Sequence, residues 1–264
     1  MLAQHLPSTK PMQKGGARMR LLIMNCNTSP EMTEQIADDA RSAARPGTEI
    51  VGMKPDWGPE SAEGFYDSFI TAAAVLDKIS SIDMSAFDGF IMAGFGEHGK
   101  EGARQLLDIP VVDITEAGVM YASVLSHRFG IVTTTESAIG QIEDSLSSIG
   151  LESRCVGISA THLPVLDAAG HDGHVKDALV ARSRELIDQG AGAIVLGCAG
   201  FTGLDHELQS TLGVPVVDCV TAATSMCESL VHLHKRTSKK AAFSSPNFGK
   251  TYTGWPKSIV PARI

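Results

Sequence analysis

The chain has 264 residues, of which 43% are hydrophobic, and its 22 Lys and Arg against 30 Asp and Glu leave a net charge of -8. This length is enough for one large domain or two small ones with their own cores. The acidic balance argues against nucleic acid as the main partner, and no apolar run reaches the roughly 20 residues that a membrane helix needs. A small-molecule substrate is therefore the expected partner.

The first segment, residues 1–19, is polar and lacks the apolar core of a secretory signal, so we predict an extension ahead of the first strand. The chain has five cysteines, an odd number without CxxC spacing, which disfavours a disulfide framework and a structural zinc site. Reduced thiols in the cytoplasm fit this pattern best.

Short β-rich runs alternate with helical stretches through the first half of the chain. Strands are predicted at 20–25, 49–54, 89–93 and 109–112. Helices are predicted at about 30–45, 66–79 and 100–107, with a Gly-, Pro- and Ser-rich loop, WGPESAEGF, before the second helix. This alternation predicts an α/β fold with parallel sheets and helices on both faces.

The same order then starts again. Segment 128–133 resembles 20–25, segment 192–200 resembles 88–96, and segment 214–222 resembles 109–117. Matches in one order at nearly constant spacing indicate an internal duplication, and hence two similar lobes related by a pseudo-twofold axis. We assign 20–118 plus about 215–234 to the first lobe and 119–214 to the second, with a polar tail or arm over 235–264.

The duplication places the expected site in the cleft between the lobes, because ligands of parallel sheets bind at the carboxyl ends of strands. The turn after AIVLG carries Cys198, and the equivalent position in the first lobe is Gly94. Two equivalent walls suit chemistry that removes a proton from one face of a carbon and returns one to the other.

Five segments in order, MNCNTSPEMT, AGFGEHG, DIPVVDITEA, FGIVTTTES and LGCAGF, resemble the aspartate/glutamate/hydantoin racemase superfamily. The resemblance is strongest to the hydantoin and allantoin racemase branch and covers about residues 20–233. It implies a two-lobed racemase without pyridoxal phosphate, metal or other cofactor, in which two cysteines flank the substrate. It also suggests a homo-oligomer.

Within this resemblance Cys198 matches the second catalytic cysteine, whereas Gly94 stands where a motif like ACFGDPG has the first. Glu97 and His98, in the same turn, are the candidate replacements for that acid/base group. Cys26 is a weaker candidate, because strand alternation would point it away from the face that Asn25 and Asn27 present. A cysteine introduced by Gly94→Cys is expected to create or increase racemase activity.

Other residues near these strand ends are predicted to bind substrate. Gly96 and Gly200 would offer backbone N–H groups to an enolate oxygen, and Phe95 would form the apolar part of the pocket. The remaining candidates are Asn25, Asn27, Thr28, Gly94, Thr133, Thr134 and Ala199. Helix capping explains Thr28 nearly as well.

The predicted function is cofactor-independent racemisation at a carbon next to a carbonyl, in a small cyclic amide or amino-acid derivative. Three alternatives stay open because Gly94 replaces a thiol. The first is a decarboxylase that resembles arylmalonate decarboxylase and protonates through Cys198 alone. The second uses Cys198 as a nucleophile, and the third is a binding homologue that has lost the chemistry.

Overall fold

The structure is a computed structural model that describes residues 18–170, 172–247, 249–251 and 253. These residues form two parallel four-stranded sheets flanked by helices, which confirms the predicted α/β fold with two lobes. The predicted extension over 1–19 lies outside the described residues except for its last two, and Met19 already begins the first strand. None of the described helices has the length and apolar character needed to cross a membrane.

The first sheet has the strand order β2-β1-β3-β4. Its strands are β1 Met19–Asn25, β2 Thr48–Met53, β3 Gly89–Ala93 and β4 Val111–Asp113. The helices that follow the first three of these strands are α1 Pro30–Ala43, α2 Phe65–Ser81 and α3 Lys100–Leu106.

The second sheet repeats this order as β6-β5-β7-β8. Its strands are β5 Phe129–Thr133, β6 Cys155–Ala160, β7 Ile194–Leu196 and β8 Val216–Asp218. The remaining helices are α4 Ile114–Leu125, α5 Ile139–Ile149, α6 Val165–Ala168, α7 Gly173–Asp188, α8 Asp205–Leu212 and α9 Cys219–His232.

The apolar run in β1 shows why this sequence forms a covered parallel sheet. Leu21 and Ile23 enter one hydrophobic cluster, whereas Leu22 and Met24 enter another on the opposite face. Both faces of the strand are therefore buried beneath helices, as parallel sheets require. At its carboxyl end the chain turns into α1, whose first N–H groups are capped when Met32 N donates to Ser29 Oγ at 3.2 Å.

The predicted lobe boundary near residue 215 is wrong for β8. This strand pairs with β7, with Val217 opposite Val195, so residues 216–218 belong to the second sheet. The repeat match between segments 214–222 and 109–117 indicates that β8 belongs to the second sheet, because it makes β8 the second-lobe equivalent of β4. The predicted boundary at residue 118 also falls inside α4.

Helices α4 and α9 join the lobes. They pack against each other, α9 lies against β3 and β4, and α4 contacts strands of both sheets. One hydrophobic cluster consequently runs through the interface, with Ile91 from the first sheet and Val195 from the second among its members. This shared core fixes the positions of the two sheets relative to each other, and with them the strand ends that line the cleft.

The start of the C-terminal segment lies on the first lobe of its own chain. Thr237 Oγ1 donates to Ile109 O at 2.8 Å, and Lys239 Nζ donates to Arg104 O at 2.7 Å. The Arg104 guanidinium in turn lies 5.6 Å from the centre of the Phe243 ring. The rest of the predicted tail or arm, from residue 254 on, lies outside the described residues.

Candidate active site

The carboxyl ends of β1, β3, β5 and β7 meet at a pocket between the lobes. The pocket is small and partly open to solvent. The pocket is lined by Asn25, Cys26, Asn27, Met32, Ala62, Ala93, Gly94, Phe95, His98, Thr133, Thr134, Ala138, Gln141, Val165, Gly197, Cys198 and Ala199. The internal repeat predicts this location, since the equivalent turns of both lobes contribute to the pocket.

Cys198 lies on the second-lobe wall, two residues after β7, and is partly exposed to the pocket. Its Sγ accepts a hydrogen bond of 3.3 Å from the N–H of Gly200. Burial raises the pKa of the thiol to about 11, the Gly200 N–H opposes this shift, and the charge of Glu63 adds to it. At neutral pH Cys198 is therefore a thiol, able to donate a proton.

On the first-lobe wall the space beside Gly94 is filled. A Cβ placed on Gly94 would lie 2.8 Å from Cys26 Cβ and 2.8 Å from His98 Cγ, and it would overlap His98 Cδ2. Side-chain carbon atoms in packed proteins stand about 3.5 to 4 Å apart. Two neighbouring side chains thus occupy the volume that any side chain at position 94 would need.

His98 is neutral, and neither of its ring nitrogens is directed at the pocket. The residue is 2% exposed, and burial lowers its pKa to about 4. Nε2 lies 3.2 Å from Phe95 O, which can only accept, so Nε2 carries the proton. Nδ1 is then an acceptor and lies 3.0 Å from the Thr71 hydroxyl, which also has Ser68 O within reach at 2.9 Å. The ring presents carbon, not nitrogen, to the space beside Gly94.

Glu97 does not line the pocket. Its Oε1 accepts from the N–H groups of Gly99 at 2.7 Å and Lys100 at 3.2 Å, and Oε2 lies 3.1 Å from Lys100 Nζ. The carboxylate therefore satisfies the first N–H groups of α3, a capping role that favours a negative charge at a helix start. The structure does not bring Glu97 together with Cys198 as the predicted catalytic pair requires.

Cys26, by contrast, lines the pocket together with both of its neighbours. Strand alternation does not set the direction of Cys26, because β1 ends at Asn25 and Cys26 lies in the turn that follows the strand. The residue is 8% exposed, and burial raises the pKa of its thiol to about 12, with the negative charge of Cys198 as the next contribution. The two thiols thus interact electrostatically across the pocket.

Known proteins match the chain along most of its length. The family described as Asp/Glu/Hydantoin racemase matches residues 21–227. The chain belongs to this family. A hydantoin racemase of Pseudomonas sp. (strain NS671) is 35% identical over 89% of this chain and 95% of its own length.

Two solved racemase structures share the fold closely. Allantoin racemase from Pseudomonas fluorescens is 43% identical with a TM-score of 0.86, and covers 89% of this chain and 100% of its own. Allantoin racemase from Klebsiella pneumoniae is 38% identical with a TM-score of 0.87, covering 92% and 100%. These matches support a racemase, which is an isomerase.

Several predicted binding residues line the pocket of this racemase fold. Asn25 Nδ2 donates to Asn27 Oδ1 at 2.8 Å and to Thr33 Oγ1 at 2.9 Å, so Asn25 fixes the turn after β1. Thr133 Oγ1 donates to Gly197 O at 3.1 Å, which leaves its lone pairs as acceptors. Thr134, Phe95 and Ala199 also line the pocket.

Three of the predicted binding residues use their polar groups in contacts within the protein. The Gly96 N–H donates to Thr115 Oγ1 at 2.8 Å, and the Gly200 N–H points at Cys198, so the prediction that both groups face an enolate oxygen is wrong. Thr28 does not line the pocket, and its N–H and hydroxyl both donate to Pro59 O, at 3.1 and 3.2 Å. These contacts shape the turns and tether the loop before α2.

That loop covers the pocket from the first lobe. Ala62 lines the pocket, and Glu63 O accepts hydrogen bonds from Thr135 Oγ1, at 3.3 Å, and from Ser137 Oγ. Gln141, a lining residue that sequence reasoning did not single out, accepts from Ser68 Oγ across the lobes. No sequence pattern marks Gln141, because it stands in an ordinary amphipathic helix. Among the residues described here, no cluster of three or more His, Cys, Asp or Glu is placed to hold a metal ion.

Proposed function

We propose that the chain is a cofactor-independent racemase of small five-membered cyclic amides of the hydantoin and allantoin kind. It acts at the ring carbon next to a carbonyl, and Cys198 carries the proton on one face of that carbon. The observation that supports this most directly is the Cys198 thiol, held by the Gly200 N–H and open to a pocket between two lobes of a racemase fold.

The lining of the pocket suits such a ring. Hydantoins present alternating N–H donors and carbonyl acceptors around a compact core. Thr133 offers an acceptor, the Asn27 and Gln141 amides offer polar contacts, and Phe95 and Val165 offer apolar ones. Removal of the proton next to the carbonyl gives an enolate, and a thiol can return a proton to that carbon from the face on which the thiol stands.

The test is racemisation in deuterated water. Enantiopure 5-methylhydantoin and allantoin are incubated with the protein, and circular dichroism and proton NMR follow the loss of optical activity and the uptake of deuterium above the uncatalysed rate. We expect racemisation with one deuterium per turnover, and a loss of more than about 100-fold in Cys198→Ser. Cys155→Ser, a partly buried thiol outside the pocket, is the matched control. Full activity in Cys198→Ser would refute the proposal.

A decarboxylase is less well supported by the geometry. A leaving carboxylate on the face opposite Cys198 would need the space beside Gly94, and Cys26 and His98 occupy that space. Release of carbon dioxide from an aryl malonate would favour this alternative over racemisation, and saturable binding without turnover would favour a binding homologue.

We also propose that the racemase works as a homo-oligomer in the cytoplasm. The support for self-association is an apolar stripe on α4, where Val124 is 86% exposed and Leu125 55% exposed, with Tyr121 beside them. Five cysteines, all unpaired, agree with a reducing compartment. Light scattering should show more than one subunit, and Val124→Glu should shift the distribution toward the monomer.

A further inference from the structure

The proposed racemisation needs a second proton carrier, on the wall that faces Cys198. Since Cys198 stands on one face of the α-carbon, direct inversion takes a second group that removes or supplies the proton on the other face. Among the described residues that line the pocket, the titratable side chains are Cys26, His98 and Cys198. The first two belong to the first lobe, so the second carrier is one of them.

His98 does not fit this role. Both ring nitrogens are engaged, one with Phe95 O and one with the Thr71 hydroxyl, and neither is directed at the pocket. To take a proton from substrate, His98 would have to break one of these bonds and hold a charge inside a buried site, where its pKa is already low.

Cys26 fits it by position. β1 and β3 are adjacent strands, and Asn25 pairs with Ala93, so the turns that carry Cys26 and Gly94 leave the sheet side by side. The Cβ of Cys26 lies only 2.8 Å from the point where a Cβ at position 94 would stand. A thiol from either position therefore starts from nearly the same place on the wall opposite Cys198.

We propose, on the basis of the proposed function, that Cys26 is the second catalytic thiol of this racemase. In one direction the Cys26 thiolate removes the proton from the α-carbon: the C–H bond breaks, an S–H bond forms, and the electron pair moves onto the carbonyl oxygen. The Cys198 thiol then gives its proton to the opposite face, so that its S–H bond breaks and the new C–H bond forms.

Each turnover thus exchanges the protonation states of the two cysteines. The enzyme ends with a Cys26 thiol and a Cys198 thiolate, which is the form that accepts the opposite enantiomer. A negative charge on Cys198 disfavours one on Cys26, so the pocket favours a single thiolate over two. One thiol and one thiolate are what the reaction requires in either direction.

The test separates the two faces of the substrate. Proton NMR in deuterated water follows exchange at the ring carbon of (R)- and (S)-5-methylhydantoin separately, and circular dichroism follows racemisation. We expect Cys26→Ser to lose racemisation by more than about 100-fold and still to exchange, with retention, the one enantiomer whose C–H faces Cys198. Cys198→Ser should show the same behaviour with the other enantiomer.

The controls keep this proposal distinct from the proposed function. If the wild-type protein racemises none of the substrates, the proposed function fails, whatever the variants do. Racemisation by Cys26→Ser within about twofold of the wild type, or exchange of the same enantiomer by both variants, would overturn the role of Cys26. So would loss of all exchange in a Cys26→Ser protein that melts as the wild type does. Cys155→Ser, at a thiol outside the pocket, should exchange both enantiomers as the wild type does, and Cys26→Ala replaces Cys26→Ser if the latter does not fold.

Discussion

The packing around Gly94 predicts that even a single methyl group there destabilises the protein. Gly94 has no left-handed backbone conformation, so an alanine meets no backbone strain, only the lack of space beside Cys26 and His98. A contact at 2.8 Å to each of two buried side chains is overpacking, which costs about 1 to 3 kcal/mol. In a protein of this size about 2 kcal/mol lowers the melting temperature by roughly 4 to 8 °C.

A double-mutant cycle shows whether the neighbours are the cause. His98→Ala removes the ring that overlaps the new Cβ, so Gly94→Ala should cost at least about 1 kcal/mol less in the His98→Ala background than in the wild type. The assay is urea unfolding of the four proteins. Gly173→Ala is the matched control, because a Cβ on Gly173 meets nothing within 4 Å and should be neutral or slightly stabilising. A neutral Gly94→Ala, or an additive cycle, refutes the packing argument.

Three more predictions follow from the same site. Because burial raises the pKa of Cys198 to about 11 and that of Cys26 to about 12, kcat/KM should rise about tenfold per pH unit from pH 7 to 9, and a plateau in that range would contradict these shifts. Burial lowers the pKa of His98 from 6.5 to about 4, so the unfolded chain binds a proton before the folded protein does as the pH falls. The free energy of unfolding should therefore drop by up to about 3 kcal/mol between pH 6.5 and 4. Urea unfolding at several pH values should show a weaker pH dependence in His98→Asn. Gly94→Cys alone should give no gain in racemase rate, against the expectation from sequence, and should gain only together with His98→Ala.

The fold could be predicted from sequence wherever local pattern decides it. The apolar run of β1 and the glycine-rich turn after β3 place a strand, a turn and a helix within a few residues of where they lie. Whether β8 joins the first or the second sheet depends instead on its long-range pairing with β7. A strand of three residues has almost no pattern of its own, and only its repeat match to β4 indicates the sheet to which it belongs.

The site was predictable as a place but not as a set of roles. Position at a strand end brings Cys198 and Gly94 to the same pocket, since that depends only on topology. The roles of Glu97 and the Gly96 N–H depend on which partner lies within hydrogen-bond reach, and those partners are the α3 N–H groups and Thr115. Capping and enolate binding use the same kinds of groups, so residue type alone does not separate them.

Gly94 shows why one position considered alone can mislead. A glycine at the position where the resemblance predicts a thiol suggests a lost catalytic group or a larger substrate space. In the structure, the side chains of Cys26 and His98 fill the volume that a side chain at position 94 would need. Cys26 also places a thiol on the same wall of the pocket. The residue at 94 is therefore constrained by what stands at 26 and 98, and the chemistry of the wall is a property of the three together.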